Sequence, residues 1–297
     1  MRSFQYLAPI PPFEYLAPGT LNELFEALSV QGKKIQIIAG GTDLMIALKE
    51  RTAAPEVVVD LGRLREELGG IAVGGGALRI GALATFAQIE SSPFVARYAK
   101  ALRQAAANVG TLQIRSIATL GGNLATASPA ADSAPPLIAL GATATLLSRA
   151  GERTLPVQDV FTAPKRNGLR AGEIVSSVEI PANEEVRSAW TRAAVRKENV
   201  LSTVSVALAT TVQDGRFGTS RVALGAVAPT PILAEKASGA MTGSEAVPEG
   251  AERVATLAAE DSRPISDIRA SARYRKHLVY VLTRRLVLQV LSELSAQ

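Results

Sequence analysis

The chain of 297 residues contains no cysteine and a single histidine, His277. Without thiols it cannot form disulfides, ligate an iron–sulfur cluster or use a cysteine nucleophile, and one imidazole is too few for a zinc site built on several histidines. Demanding chemistry must therefore come from a bound organic cofactor or from a partner subunit. His277 lies among arginine and lysine residues, far in sequence from the glycine motifs described below, so we expect no catalytic role for it.

Aromatic residues make up only 4% of the chain, and long apolar runs are absent. Nucleic-acid binding would favour a basic stripe interleaved with aromatics, so the basic residues between 269 and 285 predict a solvated or subunit-facing helix surface and no nucleic-acid partner. No apolar stretch approaches the ~20 residues of a membrane span. Prolines interrupt the first 18 residues, which disfavours a signal peptide. We expect a cytoplasmic protein without a membrane span.

The length of the chain and its 47% hydrophobic content predict two compact domains. Thr20 and Glu23 have the spacing of a capping box before an apolar helical face. A buried strand at 35–39, a short helix and a strand at 57–60 then predict a βαβ unit. A helix at 94–108, irregular backbone from residue 114 and strands at 142–147 and 174–180 follow.

After Pro164 the sequence becomes polar and rich in turn residues. Strands followed by helices then predict an α+β domain that begins around residues 165 to 180. Strands are expected at 189–195, 205–212 and 222–227, with a hairpin turn at Asp214-Gly215. Helical patterns follow at 245–260 and 268–294. We therefore predict an α+β protein with a small lobe over 1–62, a larger α/β lobe over 63–178 and a second domain over 179–297.

Two glycine pairs are the segments most typical of a binding site. The first, Gly40-Gly41, ends an apolar strand and is followed by Thr42 and Asp43. Glycine allows a ligand to approach the backbone closely, and exposed N–H groups before a helix favour an anion such as a pyrophosphate. A glycine pair of this kind can also be a simple turn.

The second pair, Gly121-Gly122, lies between Thr119 and Asn123 in nearly uncharged sequence. Neither pair fits a phosphate-binding loop of the GxxxxGK[ST] type or the GxGxxG dinucleotide motif. Two separate loops that each offer backbone donors suit a dinucleotide whose pyrophosphate is held from both sides.

The sequence AGGTDL at 39–44 and the sequence RSIATLGGNLATASPAAD at 115–132, with the apolar helix that follows, resemble the FAD-binding subunit of molybdenum hydroxylases. That family includes the medium subunit of aerobic carbon monoxide dehydrogenase and the flavin domain of xanthine dehydrogenase. The resemblance extends to RIGALATFAQIE at 79–90, EIVSSVEIP at 173–181 and SDIRASARYRKHLVYVL at 266–282, and so covers nearly the whole chain.

The resemblance implies a two-lobed FAD-binding domain of the PCMH type followed by an α+β domain that shields the flavin. It implies that the first glycine motif lines one side of the diphosphate and ribityl chain, that the second lines the other, and that Asp132 bonds sugar or ribityl hydroxyls. Asp132 could also cap the next helix, and the two roles are compatible. The cofactor-binding residues implied are Ile38, Ala39, Gly40, Gly41, Thr42, Asp43, Leu44, Val109, Thr119, Leu120, Gly121, Gly122, Asn123, Thr126, Ser128, Asp132, Val175, Thr191 and Arg192.

Several positions depart from the family pattern. Val109 and Val200 stand where relatives carry aromatics near the flavin, and Thr191 with Arg192 stands where xanthine dehydrogenases carry a lysine. Aliphatic groups, with Val175 and Val200 as candidates, are therefore expected to cover the ring. We interpret Trp190 as a core residue rather than a cofactor contact, and Arg192 as a positive charge beside N1 of the reduced flavin.

The resemblance also implies partners. FAD would be held non-covalently, while molybdopterin would lie on a large subunit and two-iron two-sulfur clusters on a small subunit, in a dimer of heterotrimers. The chain would pass electrons from those clusters to NAD, a quinone or oxygen, and no side chain would act as a catalytic acid or base. Two alternatives remain: a stand-alone flavin oxidase or dehydrogenase that meets an organic substrate directly, and a non-enzymatic assembly protein that retains the fold.

Overall fold

The computed structural model describes residues 9–295, so residues 1–8 of the predicted small lobe and residues 296–297 lie outside it. The strands are β1 (Glu14–Leu16), β2 (Ile35–Ile38), β3 (Val57–Asp60), β4 (Ile71–Gly74), β5 (Ala77–Gly81), β6 (Thr143–Ser148), β7 (Gly151–Pro156), β8 (Phe161–Ala163), β9 (Arg166–Asn167), β10 (Ile174–Pro181), β11 (Arg187–Ala193), β12 (Val204–Gln213), β13 (Arg216–Gly225) and β14 (Ile232–Leu233).

Most of the α-helices are short, and the two longest are the last in the sequence. They are α1 (Leu21–Leu28), α2 (Leu44–Lys49), α3 (Arg65–Leu68), α4 (Phe86–Ser91), α5 (Pro93–Tyr98), α6 (Lys100–Ala106), α7 (Leu112–Ile117), α8 (Leu120–Thr126), α9 (Ala134–Ala139), α10 (Glu235–Met241), α11 (Gly250–Asp261) and α12 (Ala272–Ser295).

The first lobe is a three-stranded parallel sheet in the order β1-β3-β2, with α1 and α2 between its strands in sequence. All three valines that open β3 are buried, as expected of the central strand of a sheet covered on both faces. Thr20 caps α1, but Glu23 accepts from the N–H of Gly19 rather than from that of Thr20. The predicted βαβ unit is present. Strand β1 is an additional strand that was not predicted, because prolines lie next to it in the sequence.

The second lobe is built on a five-stranded antiparallel sheet in the order β4-β5-β10-β6-β7. Apolar residues of the sheet and of helices α4 to α9 form the largest core among the described residues, which includes Phe86, Leu102, Leu120 and Leu137. Thr85 and Gln88 make a capping box at the start of α4.

The helices of this lobe differ from the prediction in two places. The expected helix at 94–108 is broken at Ala99, which has φ −142° and ψ 51° and separates α5 from α6. The segment expected to be irregular contains two short helices, whose N-termini are capped by the side chains of Thr111 and Thr119. Each threonine accepts a hydrogen bond from the third residue beyond it, which offsets the low helix propensity of the glycine pair.

The C-terminal domain is a four-stranded antiparallel sheet in the order β11-β12-β13-β14, with α10, α11 and α12 on one face. Asp214 and Gly215 both have positive φ, 50° and 70°, which allows a tight turn between β12 and β13. Strand β13 therefore begins at residue 216, earlier than expected. The architecture is α+β, with a two-lobed domain followed by an antiparallel sheet and helices, as the sequence predicts.

The opposite face of the C-terminal sheet packs on the second lobe. Trp190, Ala207 and Ala223 belong to the same apolar core as the helices of that lobe. At Gly225 a β-carbon would overlap the hydroxyl of Ser205 and lie 2.9 Å from Cγ of Pro135 in α9. The missing side chain therefore lets α9 approach the sheet closely, and the ends of β11, β12 and β13 meet the loop before α9.

Candidate cofactor site

The first glycine motif forms the loop between β2 and α2, and both of its glycines are sterically required. Gly41 has φ +71°, a left-handed conformation that favours glycine. A β-carbon at Gly40 would overlap the carbonyl oxygen of Ile117 and lie 2.7 Å from its carbonyl carbon. This loop therefore lies directly against the end of α7, just before the second glycine motif.

The backbone donors of this loop are unused. Among residues 9–295, none of the N–H groups of Gly40, Gly41, Thr42 and Asp43 donates to an acceptor, whereas the carbonyl of Gly41 already accepts from Met45 at 3.0 Å. Gly40, Gly41 and Thr42 are half-buried. Successive N–H groups that are left unpaired and point out of a turn form a concave site for an anion, and a diphosphate fits that chemistry.

The second glycine motif has a different local role from the one expected. The N–H of Gly121 donates to the carbonyl of Ala82 at 2.8 Å, and that of Gly122 donates to Oγ1 of Thr119 at 3.2 Å. Gly121 is glycine because a β-carbon would lie 2.5 Å from Cβ of Ala82. The expectation that both loops offer backbone donors is wrong for these two groups, since the first bond holds α8 against Ala82 and the second belongs to the N-cap of α8.

The two motifs nevertheless meet. Besides the contact between Gly40 and Ile117, the hydroxyl of Thr126 lies 3.5 Å from Oδ2 of Asp43. The same hydroxyl donates to the carbonyl of Gly122 at 2.9 Å. Segments that are about 80 residues apart in sequence therefore border one seam between the first and second lobes.

Asp132 lies in the loop between α8 and α9, at the junction with the C-terminal domain. Its carboxylate accepts from the hydroxyl of Ser202 at 2.6 Å and from the guanidinium of Arg192 at 3.2 Å. The expected alternative, a cap on α9, is not observed, because the residue before that helix is Ser133 and its side chain makes no capping bond. Asn123 instead reaches this loop, and its Oδ1 accepts from the hydroxyl of Ser133 at 2.6 Å.

The ion pair between Asp132 and Arg192 is buried, with the two side chains 8% and 7% exposed. Burial raises the pKa of Asp132, while the bonds from Ser202 and Arg192 act in the opposite direction without cancelling the rise. Arg192 also donates to the carbonyls of Val200 and Lys197, at 3.4 and 2.9 Å. It therefore fastens the loop after β11 to the loop that carries Asp132.

Two adjoining cavities open beside Arg192. The larger, about 520 Å³, is lined by Asn108, Gly110, Arg115 and the loop residues 194 and 196–198, and the smaller, about 360 Å³, is lined by Gln104, Trp190 and Thr191. Cavities of this size are typical of sites for organic ligands. Trp190 is buried, as expected of a core residue, yet its Nε1 donates to no acceptor among the described residues, and the residue is among those that line the smaller cavity.

The remaining predicted residues are divided between this region and the core. Thr191 is half-buried and lines the smaller cavity. Val109 is half-buried and packs against the core of the second lobe. Val175 is buried in β10 against Ala82 and Leu146. Leu120 is fully buried, Ser128 accepts from the N–H of Ala130, and Ile38, Ala39 and Leu44 flank the first loop.

Sequence reasoning did not single out Asn108, Arg115 or Ser202. Arg115 lies inside the second motif, so its position in that motif could have indicated it; its guanidinium donates to Glu90 at 3.0 Å. Ser202 has no sequence signal, because its pairing with Asp132 depends on the docking of two domains. Among residues 9–295, no group of three or more histidine, aspartate and glutamate side chains could hold a metal ion.

A half-buried loop of unpaired N–H groups at a seam, together with cavities lined by cationic and amide side chains, has the chemistry of a protein that binds a phosphorylated organic cofactor. Comparisons with known proteins identify the family. Residues 11–183 match the FAD binding domain in molybdopterin dehydrogenase, and residues 189–290 match the CO dehydrogenase flavoprotein C-terminal domain. The chain belongs to this family of FAD-binding subunits of molybdenum-dependent oxidoreductases.

Individual relatives match along almost their whole length. The chain is 34% identical over 289 residues to the nicotinate dehydrogenase FAD-subunit of Eubacterium barkeri, covering 95% of this chain and 97% of the relative. It is 29% identical to the carbon monoxide dehydrogenase medium chain of Afipia carboxidovorans, covering 93% and 95%. A chain in the structure of quinoline 2-oxidoreductase from Pseudomonas putida 86 matches with a TM-score of 0.90 at 32% identity, covering 96% and 99%.

No helix among residues 9–295 is both long enough and apolar enough to pass through a lipid bilayer.

Proposed function

We propose that this chain is the electron-transfer subunit of a molybdenum hydroxylase, taking electrons from two-iron two-sulfur clusters of a partner and passing them to NAD, a quinone or oxygen. The observation that carries the proposal is the row of unpaired N–H groups from Gly40 to Asp43. These groups offer a binding site for a diphosphate where the two lobes meet. The names of the relatives, FAD-subunit and medium chain, support a role within a larger enzyme.

The residues present suit FAD. The first loop would hold the diphosphate, and the seam residues Thr126 and Asp43 would border the ribityl chain. The full set named in the sequence analysis stays a proposal for the cofactor site. Since the chain has no cysteine and its one histidine lies on α12, we propose that FAD is bound non-covalently.

When bound, FAD supplies a group that accepts electrons singly and releases them as a pair. The task of this chain is to orient it and to control its surroundings. The buried pair of Arg192 and Asp132 fixes a positive charge beside the cavities, and we propose that it lies near N1 of the flavin. An Arg192→Ala variant is then expected to lower the reduction potential of the bound flavin, measured against an indicator dye; an unchanged potential would contradict this role.

The wider assembly follows the same proposal. Molybdopterin would lie on a large subunit and the clusters on a small subunit, in a cytoplasmic dimer of heterotrimers. We place the domain boundary in the loop after Pro181, because β10 runs without a break through residue 178. The stand-alone oxidase is less well supported, because Glu198 is the only carboxylate or histidine among the residues lining the two cavities.

The test is the visible absorption spectrum of the purified chain before and after acid denaturation. We expect flavin bands that pass into the supernatant, and flavin reduction by substrate only when the partner subunits are present. A chain that is colourless and binds no added FAD would refute the proposal. Flavin reduction by an organic substrate in the isolated chain would support the stand-alone enzyme instead.

A further inference from the structure

The connection between α11 and α12 presents the most exposed apolar side chain of the described residues. We call residues 263–276 the corner segment. Within it Ile268 is fully exposed and Ile265 and Tyr274 are 71% and 54% exposed. An isoleucine placed wholly in water keeps its apolar surface hydrated, which is unfavourable, and a partner that buried this surface would gain that free energy.

The corner segment is nevertheless held rigidly. The carboxylate of Asp267 accepts from the N–H of Arg269 at 2.9 Å and from the guanidinium of Arg275 at 2.7 Å. Ser266 accepts from the N–H of Ala272 at 2.9 Å, which fixes the start of α12. Ile268 is therefore displayed on a preorganised backbone, which reduces the entropy lost when a partner binds.

The exposed charged side chains of the corner segment, around Ile268, have one sign. Arg263, Arg269, Arg273 and Lys276 are exposed, and Asp267 is the only carboxylate in the sequence of the corner segment. Since Asp267 is already paired with Arg269 and Arg275, the outward charge is basic. A complementary surface would offer carboxylates around an apolar pocket.

The anchor of the segment also contacts the strands that border the candidate cofactor site. Arg275 is 2% exposed and donates to the carbonyls of Thr203 and Ala226, at 2.7 and 2.9 Å. The neighbouring Ser202 bonds Asp132, and the N–H of Ala226 donates to the carbonyl of Pro129 at 2.8 Å. A partner bound to the corner segment would thus be held in a fixed position relative to the loop that carries Asp132.

We propose that the corner segment is a docking surface for a partner subunit of the enzyme, one that encloses Ile268 in an apolar pocket rimmed by carboxylates. The inference rests on the proposed function because it requires a multi-subunit enzyme. A protein partner is favoured over a nucleic acid because only one aromatic side chain, Tyr274, lies among these cations. It is favoured over a lipid surface because relatives of this chain are named as subunits.

The experiment is co-expression of the tagged chain with its natural partner subunits, followed by size-exclusion chromatography and titration of the separated chains. An Ile268→Asp variant is expected to weaken association at least tenfold, while its flavin content and melting temperature stay those of the unmodified chain. Val247→Asp is the matched control, since Val247 is 37% exposed in the same domain but outside the corner segment, and it should assemble normally. An Arg269→Glu and Arg273→Glu double variant should also weaken association.

Every other result overturns the proposal. A yellow Ile268→Asp chain that assembles normally would remove the docking surface while leaving the proposed function intact, whereas a colourless unmodified chain would refute the proposed function itself. Loss of a dimer of this chain alone would assign the surface to a second copy. Loss of binding to vesicles of anionic phospholipid would assign it to a membrane.

Discussion

At Gly40 the absence of a side chain serves packing and binding at once. The α-carbon lies against the carbonyl group of Ile117, and the N–H of the same residue is among the unpaired donors of the first loop. A methyl group at this position must push the first lobe away from the second, and the N–H groups proposed to bind the diphosphate would move with that lobe. The sequence pair Gly-Gly alone does not distinguish these roles from those of an ordinary turn.

We therefore expect Gly40→Ala to lower both the flavin content and the free energy of unfolding, the latter by about 1–3 kcal/mol, as is usual for overpacking. Gly239→Ala is the matched control: Gly239 lies exposed within α10 and a β-carbon there meets no atom within 4 Å. That change should stabilise the chain by roughly 0.5–1 kcal/mol. Denaturant unfolding and the ratio of flavin to protein measure both; equal behaviour of the two variants would contradict the steric argument.

At Asp132 the effect of a substitution depends on whether the new side chain can still accept hydrogen bonds from its buried partners. Asp132→Ala would leave the guanidinium of Arg192 buried without its carboxylate, and we expect a loss of about 3–5 kcal/mol in the free energy of unfolding. Asp132→Asn keeps a group that can accept from Ser202 and should lose less. Urea denaturation of the two apo variants provides the comparison, and an asparagine variant that is the less stable of the two would contradict the role given to the pair.

Glu173 provides a pH dependence with a defined sign. Two hydrogen bonds from Arg153, each 2.7 Å, lower the pKa of Glu173 to about 2 from its ordinary 4.5. A depressed pKa stabilises the fold above pH 4.5, and this stabilisation is lost as the pH falls from 4.5 towards 2. Glu173→Gln should remove a stabilisation on the order of 2 kcal/mol at pH 7 and flatten the acid limb of the stability profile.

The control for that profile is Glu152→Gln, on the exposed side of the same strand as Arg153. Thermal unfolding measured between pH 2.5 and pH 7 should leave the control parallel to the unmodified chain. A Glu173→Gln variant that keeps the full acid dependence would show that other carboxylates cause it.

At the scale of elements, the long buried strands were predictable, whereas the edge strand β1 and the two helices around the second glycine pair were not. Runs such as 57–60 and 174–180 carry the β-branched residues that fill a covered sheet, so their position follows from composition. The segment around Gly121 has poor helix propensity, and only its threonine cap and its packing on Ala82 make it helical. A tertiary contact therefore determines that this segment is helical, and such contacts cannot be read from a single sequence.

The cap on α8 gives an element-scale prediction. Thr119→Val keeps the volume of the side chain but removes the acceptor for the N–H of Gly122, so the free energy of unfolding should fall by about 1 kcal/mol. Thr119→Ser should retain most of the stability. The loss measured without FAD reports the cap alone. A larger loss in the FAD-bound form, seen in thermal unfolding, would assign the hydroxyl to the cofactor.

At the scale of the whole molecule, the candidate site is made by contacts that join distant parts of the sequence. The pairing of Asp132 with Arg192 and Ser202 spans 60 and 70 residues, and it crosses from the second lobe to the C-terminal domain. The motifs could be located from the sequence through their resemblance to a family. The partner of each side chain could not, because it depends on how the domains dock.

That docking predicts how the protein unfolds. Trp190, Ala207 and Ala223 of the C-terminal sheet share one core with the helices of the second lobe, so neither unit can unfold without exposing the apolar face of the other. Heating should therefore give one cooperative transition, seen at the same temperature by circular dichroism, by release of flavin and by the fluorescence of Trp190, the only tryptophan. Gly225→Val would force Pro135 away from the sheet and should lower all three midpoints together. If the fluorescence of Trp190 changed well before the flavin was released, the two domains would be unfolding separately, and the shared core would not be what couples the C-terminal domain to the flavin site.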